Sequence, residues 1–340
     1  MTTAEGAHDV AEVGRVLHEG MVRTARSYDG GMRGAQIAEL GQPPASTEID
    51  GDGTVEILAV ALNPLDLAVG SGRFPAGHPP VPFVPGCEAV GRIDGERLYL
   101  FGEGFGTRRD GFLAERVDFA RAAAIPVPDD LDDAVAVACG IAGIAGWIPV
   151  AWRAPVVPGD RVLVLGATGT VGSVATQAAR LLGAERVVAA GRNATKLERC
   201  KELGADATVV LDGADLVERI RDACGEGGPT LVVDPLWGEP ARAAVDAAVP
   251  HARVVQLGQS AGPEATLTSA SIRLKGLSIL GHGSFLLTID ELRKAYGEVA
   301  EHVAAGRIKI EVETFPLERV GEAWAAQQQR SKAVVILRSD

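Results

Sequence analysis

The chain has 340 residues, of which 46% are apolar and 23% are charged, and its formal net charge is −12. This composition is that of a folded protein with room for about two domains, and it excludes global disorder and collagen-like repeats. The acidic balance and the 4% of aromatic residues argue against nucleic acid and membrane surfaces as partners, so any bound phosphate group must be held locally.

The N-terminal residues show no sustained apolar period and carry several acids, which argues against a signal peptide. We predict an N-terminal extension over residues 1–31, with the first strand of the folded unit starting at Met32. The four cysteines lie far apart and form no CxxC pair: Cys87, Cys139, Cys200 and Cys224. Their spacing disfavours a disulfide framework and a four-cysteine zinc site, and it favours a reducing cytoplasm.

Short apolar runs broken by glycine and proline extend from Thr54 to about Asp118, and this pattern predicts an irregular, mainly antiparallel barrel. An uncharged segment from Ala134 to Trp152 follows, and it is long enough to span a bilayer. It consists largely of alanine and glycine, which contribute little transfer free energy and suit close helix packing. We therefore predict a buried helix there and no membrane span.

The pattern changes after Asp160, where short β-branched runs alternate with helical or turn-rich segments. This alternation predicts a parallel sheet with crossover helices, and the last strand, KAVVILR, is expected to return to the first domain. The predicted fold class is α/β. A barrel domain is expected over residues 32–152 and 286–340, and a doubly wound parallel-sheet domain over residues 153–285.

Two glycine triplets have the spacing GxxGxxG, and their contexts differ. Gly140, Gly143 and Gly146 follow no strand, so helix packing explains them. The second triplet follows the strand RVLVL and opens an apolar helix, which directs backbone amides and a helix N-terminus at a pyrophosphate. We predict that this loop binds a dinucleotide through Gly166, Ala167, Thr168, Gly169, Thr170, Val171 and Gly172.

The residues after the next strand, RVVAAG, indicate which dinucleotide is bound. NAD-specific proteins of this architecture usually place an acid at that strand end. This chain has Gly191, Arg192 and Asn193 there, with Lys196 one turn later. Arg192 is suited to pair with a 2'-phosphate, Asn193 adds a neutral donor, and no acid repels the phosphate, so NADPH is predicted over NADH.

Several motifs resemble the medium-chain dehydrogenase/reductase superfamily, and more closely its zinc-free quinone oxidoreductase branch. Over about residues 32–338 these are Asn63-Pro64-Leu65-Asp66, FVPGCEAVG, GFLAERV, VLVLGATGTVG, LGAD, LVVDPLWG, VVQLG and KAVVIL. The resemblance implies a GroES-like β-barrel catalytic domain joined to a Rossmann domain, with the active cleft between them. It also implies cofactor contacts from the glycine loop, Arg192, Asp234 and Gly258.

The same resemblance bears on a catalytic metal ion. Zinc members of the superfamily hold their ion with an early cysteine, a histidine of a Gly-His-Glu segment and a later cysteine or acid. Here Asn63 stands at the first position and Cys87 replaces the histidine, while Cys139 lies near the third. Because ligands are missing, we predict no metal; an atypical set of Cys87, Glu88 and Cys139 is the alternative.

Without a Lewis acid, quinones and α,β-unsaturated carbonyls are the favoured substrates, because their electrophilic carbon accepts hydride directly. Asn63 is the candidate for a contact with the substrate oxygen, and Asp66 for organising its loop; turn structure is the competing explanation for both. The prediction is a zinc-free, NADPH-dependent reductase. Its alternatives are a zinc alcohol dehydrogenase with atypical ligands and a non-catalytic NADPH-binding sensor.

The apolar strand from Leu277 to Ser284 ends the Rossmann run. An open sheet edge of this kind invites pairing with another chain, and a two-fold axis would close it. We predict a homodimer that pairs this strand with its copy, as is common in the family. A monomer whose edge is covered by the following helix is the alternative.

Overall fold

Two large β-sheets and a small ribbon organise the chain in the computed structural model, which describes residues 31–51 and 53–338. The predicted N-terminal extension, up to residue 30, lies outside the described residues. The ribbon pairs two antiparallel strands, β1 (Gly31–Gln36) and β2 (Ala45–Asp50). β1 therefore begins one residue before the predicted Met32.

The first large sheet has seven strands, which pair antiparallel except for one parallel pair at its edge. Its strands are β3 (Val55–Ala61), β4 (Glu88–Ile93), β5 (Glu96–Phe101), β6 (Arg116–Val117), β7 (Ile125–Pro126), β14 (Glu313–Pro316) and β15 (Ala333–Ile336). The order is β14-β15-β3-β4-β5-β7, with β6 also on β3. The last strand thus returns to the first sheet, as predicted.

Strand β3 is buried on both faces, which explains its almost continuous apolar sequence. Ile57 and Val60 pack into the core enclosed by the first sheet. Leu58 and Ala61 point the other way, into a second core that continues to the parallel sheet. This strand therefore connects the two layers, and the loop at its carboxyl end lies next to both.

The second large sheet has six parallel strands in the order β10-β9-β8-β11-β12-β13. They are β8 (Arg161–Leu165), β9 (Arg186–Gly191), β10 (Ala207–Val210), β11 (Leu231–Asp234), β12 (Arg253–Gln256) and β13 (Ser278–Gly281). The chain builds outward from β8 in one direction and then, from β11, in the other. Such a switch leaves a crevice at the carboxyl ends of the two central strands, where ligands bind.

Nine helices longer than three residues lie within the described residues. They are α1 (Pro64–Gly70), α2 (Asp133–Arg153), α3 (Thr170–Leu181), α4 (Ala194–Glu202), α5 (Leu216–Cys224), α6 (Gly238–Ala247), α7 (Ser269–Arg273), α8 (Ile289–Ala304) and α9 (Val320–Gln328). Helices α3 to α6 supply the crossovers of the parallel sheet, and α8 and α9 lead the chain back to the first sheet.

Helix α2 is long and apolar enough to cross a membrane, but 78% of its most apolar window is buried inside the protein. It is a core helix, as predicted. Small residues make its close packing possible: a Cβ on Gly146 would lie 2.6 Å from the carbonyl oxygen of Val171 on α3. The first glycine triplet therefore serves helix packing, and Gly140 also marks a break in α2.

Candidate active site

The glycine loop lies between β8 and α3, and each glycine serves a different purpose. Gly166 has a φ of 63°, which favours glycine and turns the chain sharply after the strand. A Cβ on Gly172 would overlap the carbonyl oxygen of Gly166, so this glycine lets the helix pack on the loop. Gly169 precedes the helix, and a Cβ there would meet only that same oxygen, at 3.6 Å. The space at the N-terminus of α3 therefore stays open for a phosphate.

A groove of about 380 Å³ runs from this loop along α4. The glycine loop and α4 form one wall, and residues 309–313 and 330–332 form the other. Gln177 on α3 fixes the first of these segments: its side chain donates to the Lys309 carbonyl at 2.9 Å and accepts from the Lys309 amide at 2.8 Å. A dinucleotide on the glycine loop would thus lie against chain segments that lead into the first sheet.

The groove carries positive charge near the carboxyl end of β9. Arg192, Lys196 and Arg330 are exposed and form no ion pair within the described residues. Arg330 lines the groove, and burial and the positive charge of Arg192 lower its pKa. Two guanidinium groups near each other are a suitable site for an anion, although Glu202, Glu311 and Glu313 also line the groove. Asn193 caps α4 through its Oδ1, which accepts from the Lys196 amide at 3.0 Å; this cap does not use the Nδ2 group, so its role as a neutral donor stays a prediction.

Two further predicted contacts lie at the ends of β11 and β12. Gly258 approaches the chain closely, since a Cβ there would lie 2.6 Å from the carbonyl oxygen of Pro235. Asp234 is fully buried, and its Oδ1 accepts from the amides of Leu236 at 2.9 Å and Trp237 at 2.8 Å. The Asp234 carboxylate thus shapes the loop after β11, and the cofactor contact at this strand end stays a prediction.

A buried polar cluster, the Glu88 cluster, lies beside the groove and consists of Asn63, Glu88, Tyr99 and Lys332. Glu88 Oε1 accepts from Asn63 Nδ2 at 2.8 Å and from Lys332 Nζ at 3.2 Å. Glu88 Oε2 accepts from the Tyr99 hydroxyl at 2.9 Å and from the Ile141 amide at 2.6 Å. Only 3% of the Lys332 side chain is exposed and none of Glu88. An ion pair at this depth requires such additional hydrogen bonds.

Asn63 is turned inward in this cluster. Its Nδ2 donates to Glu88 and to the Ala61 carbonyl at 3.2 Å, and its Oδ1 accepts from Lys332 Nζ at 2.7 Å. Both amide hydrogens are therefore committed, and the side chain is 1% exposed. This geometry gives Asn63 no free hydrogen for the predicted contact with a substrate oxygen; it places the residue as a support of the loop.

Asp66 ties the same loop to the strand that carries Glu88. Its Oδ2 accepts from the Asn63 amide at 2.8 Å, and its Oδ1 accepts from the Cys87 amide at 2.9 Å. Burial raises the pKa of Asp66 to about 6, although the hydrogen bonds from Cys87 and Asn63 oppose the shift. The carboxyl group thus organises the turn between β3 and α1.

The atypical ligand set does not fit a metal ion. Within residues 31–51 and 53–338, no group of three or more histidine, cysteine or acidic side chains is arranged to hold one. Burial raises the pKa of the Cys87 thiol, and that of Cys139 to about 12. Both oxygens of Glu88 are already hydrogen-bonded, so this carboxylate is committed to the cluster.

Sequence reasoning missed three residues of this region. Lys332 and Arg330 precede the last strand, where a charged residue ordinarily signals only a solvated strand end. Tyr99 lies in an apolar strand, which predicts a core residue. Its ring is indeed in the core, and only its hydroxyl belongs to the Glu88 cluster. No local pattern brings Lys332 to Glu88 or Arg330 to Arg192, because these pairs lie far apart in the chain, whereas Tyr99 meets Glu88 across the antiparallel pair of β4 and β5.

A parallel sheet with a glycine loop beside an antiparallel sheet is the architecture of a class of oxidoreductases whose members bind a nicotinamide dinucleotide. Residues 170–301 match the family described as zinc-binding dehydrogenase. In fold and in this matched segment, the chain is similar to the medium-chain dehydrogenase/reductase superfamily.

Two curated relatives show how far this likeness extends. The chain is 28% identical over 290 residues to a phenolphthiocerol/phthiocerol polyketide synthase of Mycobacterium tuberculosis, covering 79% of this chain and 13% of that protein. It is 26% identical over 286 residues to a quinone oxidoreductase of Salmonella typhimurium, covering 79% of this chain and 83% of that protein. The matched region is thus a small part of the synthase but most of the quinone oxidoreductase.

Solved structures agree on the architecture. A structure titled NAD-dependent alcohol dehydrogenase superposes with a TM-score of 0.79 at 27% identity, covering 90% of this chain and all of that one. The quinone oxidoreductase of Thermus thermophilus, solved also with NADPH, gives 0.74 at 28% identity over the same shares. The two-layer fold is therefore shared with both kinds of enzyme.

Proposed function

We propose that the protein is an NADPH-dependent reductase of quinones or α,β-unsaturated carbonyls that uses no metal ion. The groove carries this proposal. It combines an open helix N-terminus for a pyrophosphate with a wall formed by segments of the first sheet. Its cationic end, at Arg192 and Arg330, would hold a further phosphate. The likeness to quinone oxidoreductases supports the substrate class.

The choice of NADPH rests on Arg192 and Arg330. NADH offers no anion to the ribose end of the groove, so binding it would leave both guanidinium groups unpaired. A 2'-phosphate would accept hydrogen bonds from them and relieve their mutual repulsion. Arg330 belongs to the segment that leads into β15, so this contact would also link the cofactor to the first sheet.

The chain's part in the reaction is positioning. A bound reduced nicotinamide supplies the hydride. The amides of the glycine loop hold the pyrophosphate, and the Glu88 cluster keeps the loop after β3 rigid. Lys332 Nζ already donates to Leu62, Asn63 and Glu88, so it holds no spare proton for a substrate. A substrate with an electrophilic carbon suits such a site, because its oxygen can take a proton from water after hydride transfer.

A panel assay tests this function. NADPH oxidation is measured with quinones, enones, ketones and aldehydes on protein purified without chelators, together with its metal content. We expect turnover of quinones or enones and less than stoichiometric zinc. Stoichiometric zinc with alcohol oxidation would support the zinc alcohol dehydrogenase, and tight NADPH binding without turnover of any carbonyl would support the sensor.

We also propose that the protein is a cytoplasmic homodimer. The four cysteines are free and buried, which suits a reducing compartment. Within the described residues β13 pairs only with β12, and apolar side chains remain exposed beside it: Leu274, Ile279, Phe285 and Leu286. Light scattering should give about twice 35.3 kDa, and Ile279→Pro should lower that mass. A wild-type mass of one chain at micromolar concentration would contradict the dimer.

A further inference from the structure

Three phenylalanine rings, the phenylalanine cluster, join the loop after β13 to the first sheet. The ring centroid of Phe285 lies 5.7 Å from that of Phe101 and 6.5 Å from that of Phe74, and both pairs of rings are tilted. Phe101 is the last residue of β5, Phe74 follows α1, and Phe285 follows β13. These contacts fix the direction of the Phe285 side chain, which leaves the parallel sheet and reaches the first sheet.

The cluster lies at the ends of the two sheets that form the candidate active site. Phe101 is paired with Glu88 in the register of β5 and β4, so it stands next to the Glu88 cluster. Phe74 follows the helix that begins directly after Asn63. Phe285 comes from the carboxyl ends of the parallel strands, the edge that carries the glycine loop. The cluster therefore extends from that edge to the first sheet beside the Glu88 cluster.

Phe285 is held in place and yet remains largely open. It is 58% exposed and the adjacent Leu286 is 83% exposed, whereas Phe101 is 8% exposed. Residues 283–287, GSFLL, carry no charge. Contiguous exposed apolar surface of this kind commonly marks a contact with a ligand or another chain. The two ring contacts thus fix Phe285 while more than half of it stays free for a further contact.

The order of the parallel strands indicates which ligand would meet this ring. A dinucleotide with its pyrophosphate at β8 and its 2'-phosphate near Arg192, after β9, extends in the other direction along the edge, toward β11 and β12. β13 lies beyond these two strands. Phe285 is therefore placed to contact the acceptor substrate and not the cofactor.

We propose that the phenylalanine cluster is a subsite for an aromatic ring that the acceptor carries beside its reacting carbonyl group, with Phe285 as the specificity-determining residue. This rests on the proposed function and holds for either class of acceptor. The exposed part of the Phe285 ring can pack on a flat ring in an offset or edge-to-face arrangement, and such pairs are stabilised beyond the area they bury. An acceptor without such a ring gains only the weaker contact of an alkyl group.

Steady-state kinetics on matched pairs of acceptors test this subsite. Naphthoquinone is compared with benzoquinone, and benzylideneacetone with a straight-chain nonenone, so the members of each pair differ by an aromatic ring. Phe285→Ala and Phe285→Leu should lower kcat/KM for the aryl acceptors by about three- to tenfold and leave the other acceptors within about twofold. Phe285→Tyr keeps the ring, so it should stay within about twofold of wild type for all of them.

The ratio within a pair is the readout, because a loss of folding or of NADPH binding lowers both kcat/KM values together. Val157→Ala is the control and should leave every ratio unchanged, since Val157 is 49% exposed but precedes β8, at the opposite edge of the parallel sheet. An unchanged ratio in Phe285→Ala would overturn this inference alone. So would a single-chain mass for that variant beside a dimeric wild type, which would place the ring in the dimer interface. A wild type that turns over no acceptor would overturn the proposed function with it.

Discussion

The groove and the Glu88 cluster lie side by side and share Lys332, yet they are built in different ways. The phosphate site of the groove comes from residues 166–172, consecutive in the chain, and its donors are backbone amides. The Glu88 cluster joins buried side chains up to 269 positions apart. The proposed phosphate site therefore depends on local backbone geometry, and the rigidity of the neighbouring loop depends on long-range packing.

The largest effect is expected from breaking the Glu88 cluster. Glu88→Ala leaves the Lys332 ammonium buried without its carboxylate, so the free energy of unfolding should fall by about 3 to 5 kcal/mol. Urea denaturation measures this. Glu322→Ala is the matched control, because Glu322 pairs with Arg319 on the surface, and it should cost less than about 1 kcal/mol. Equal losses in the two variants would contradict the buried ion pair.

Two glycine substitutions should separate binding from folding within the groove. Gly169→Val fills open space at the N-terminus of α3, so it should weaken both cofactors about a hundredfold or more while the protein still folds. Gly172→Val would overlap the Gly166 carbonyl, so it should lower the unfolding midpoint itself. Calorimetric titration and thermal melting measure the two effects. Unchanged affinity in Gly169→Val would show that the phosphate binds elsewhere.

Removing Arg192 or Arg330 should show whether this end of the groove binds the 2'-phosphate of NADPH. Arg192→Ala and Arg330→Ala should each weaken NADPH by about ten- to a hundredfold, since a charge-assisted hydrogen bond is worth about 1.5 to 3 kcal/mol. NADH affinity should stay nearly unchanged. The matched control is Arg199→Ala, because Arg199 already pairs with Glu311 across the groove. Equal losses for NADPH and NADH would remove these arginines from the 2'-phosphate.

A fourth effect is a pH dependence of stability, which Asp66 in the buried loop between β3 and α1 contributes. Burial raises the pKa of Asp66 to about 6 from its usual 3.8, so the folded state binds this proton more tightly than the unfolded state. Unfolding then releases a proton between about pH 4 and 6. Stability from this group is present below that window and falls as pH rises, by up to about 1.4 kcal/mol per pH unit.

Asp66→Asn removes the titration and provides the reference. The difference in unfolding free energy between wild type and Asp66→Asn should decrease as pH rises from about 4 to 6, and then level off. Urea denaturation at several pH values measures it. A difference that grows over this window would mean that the carboxyl group is ionised more easily in the folded protein, contrary to its burial.

Much of the fold was readable because its signals are local. The glycine loop needs only a strand, three glycines at fixed spacing and a helix, all within residues 161–181. The buried helix α2 was identified by its small, uncharged residues, and the parallel sheet by the alternation of strand and helix patterns. Each of these features is determined by backbone sterics and by the period of apolar side chains over one or two elements.

The roles of individual polar side chains were not readable in the same way. Asn63 looked available for a substrate, and Asp234 looked available for a cofactor, because sequence position places a residue at a strand end without giving its orientation. In the structure, the Asn63 side-chain amide is hydrogen-bonded to Lys332 and Glu88. The Asp234 carboxylate accepts a hydrogen bond from the backbone of the loop after β11.

The sequence by itself therefore determined the two-layer architecture and the phosphate loop, since these depend on neighbouring residues. Tertiary structure alone decided which charges are paired inside and which remain free. Lys332 is neutralised by a carboxylate far away in the chain, while Arg192 lies close enough to Arg330 for its charge to lower the pKa of Arg330. Electrostatic partners are set by distance in space, and the chain order of residues does not encode that distance.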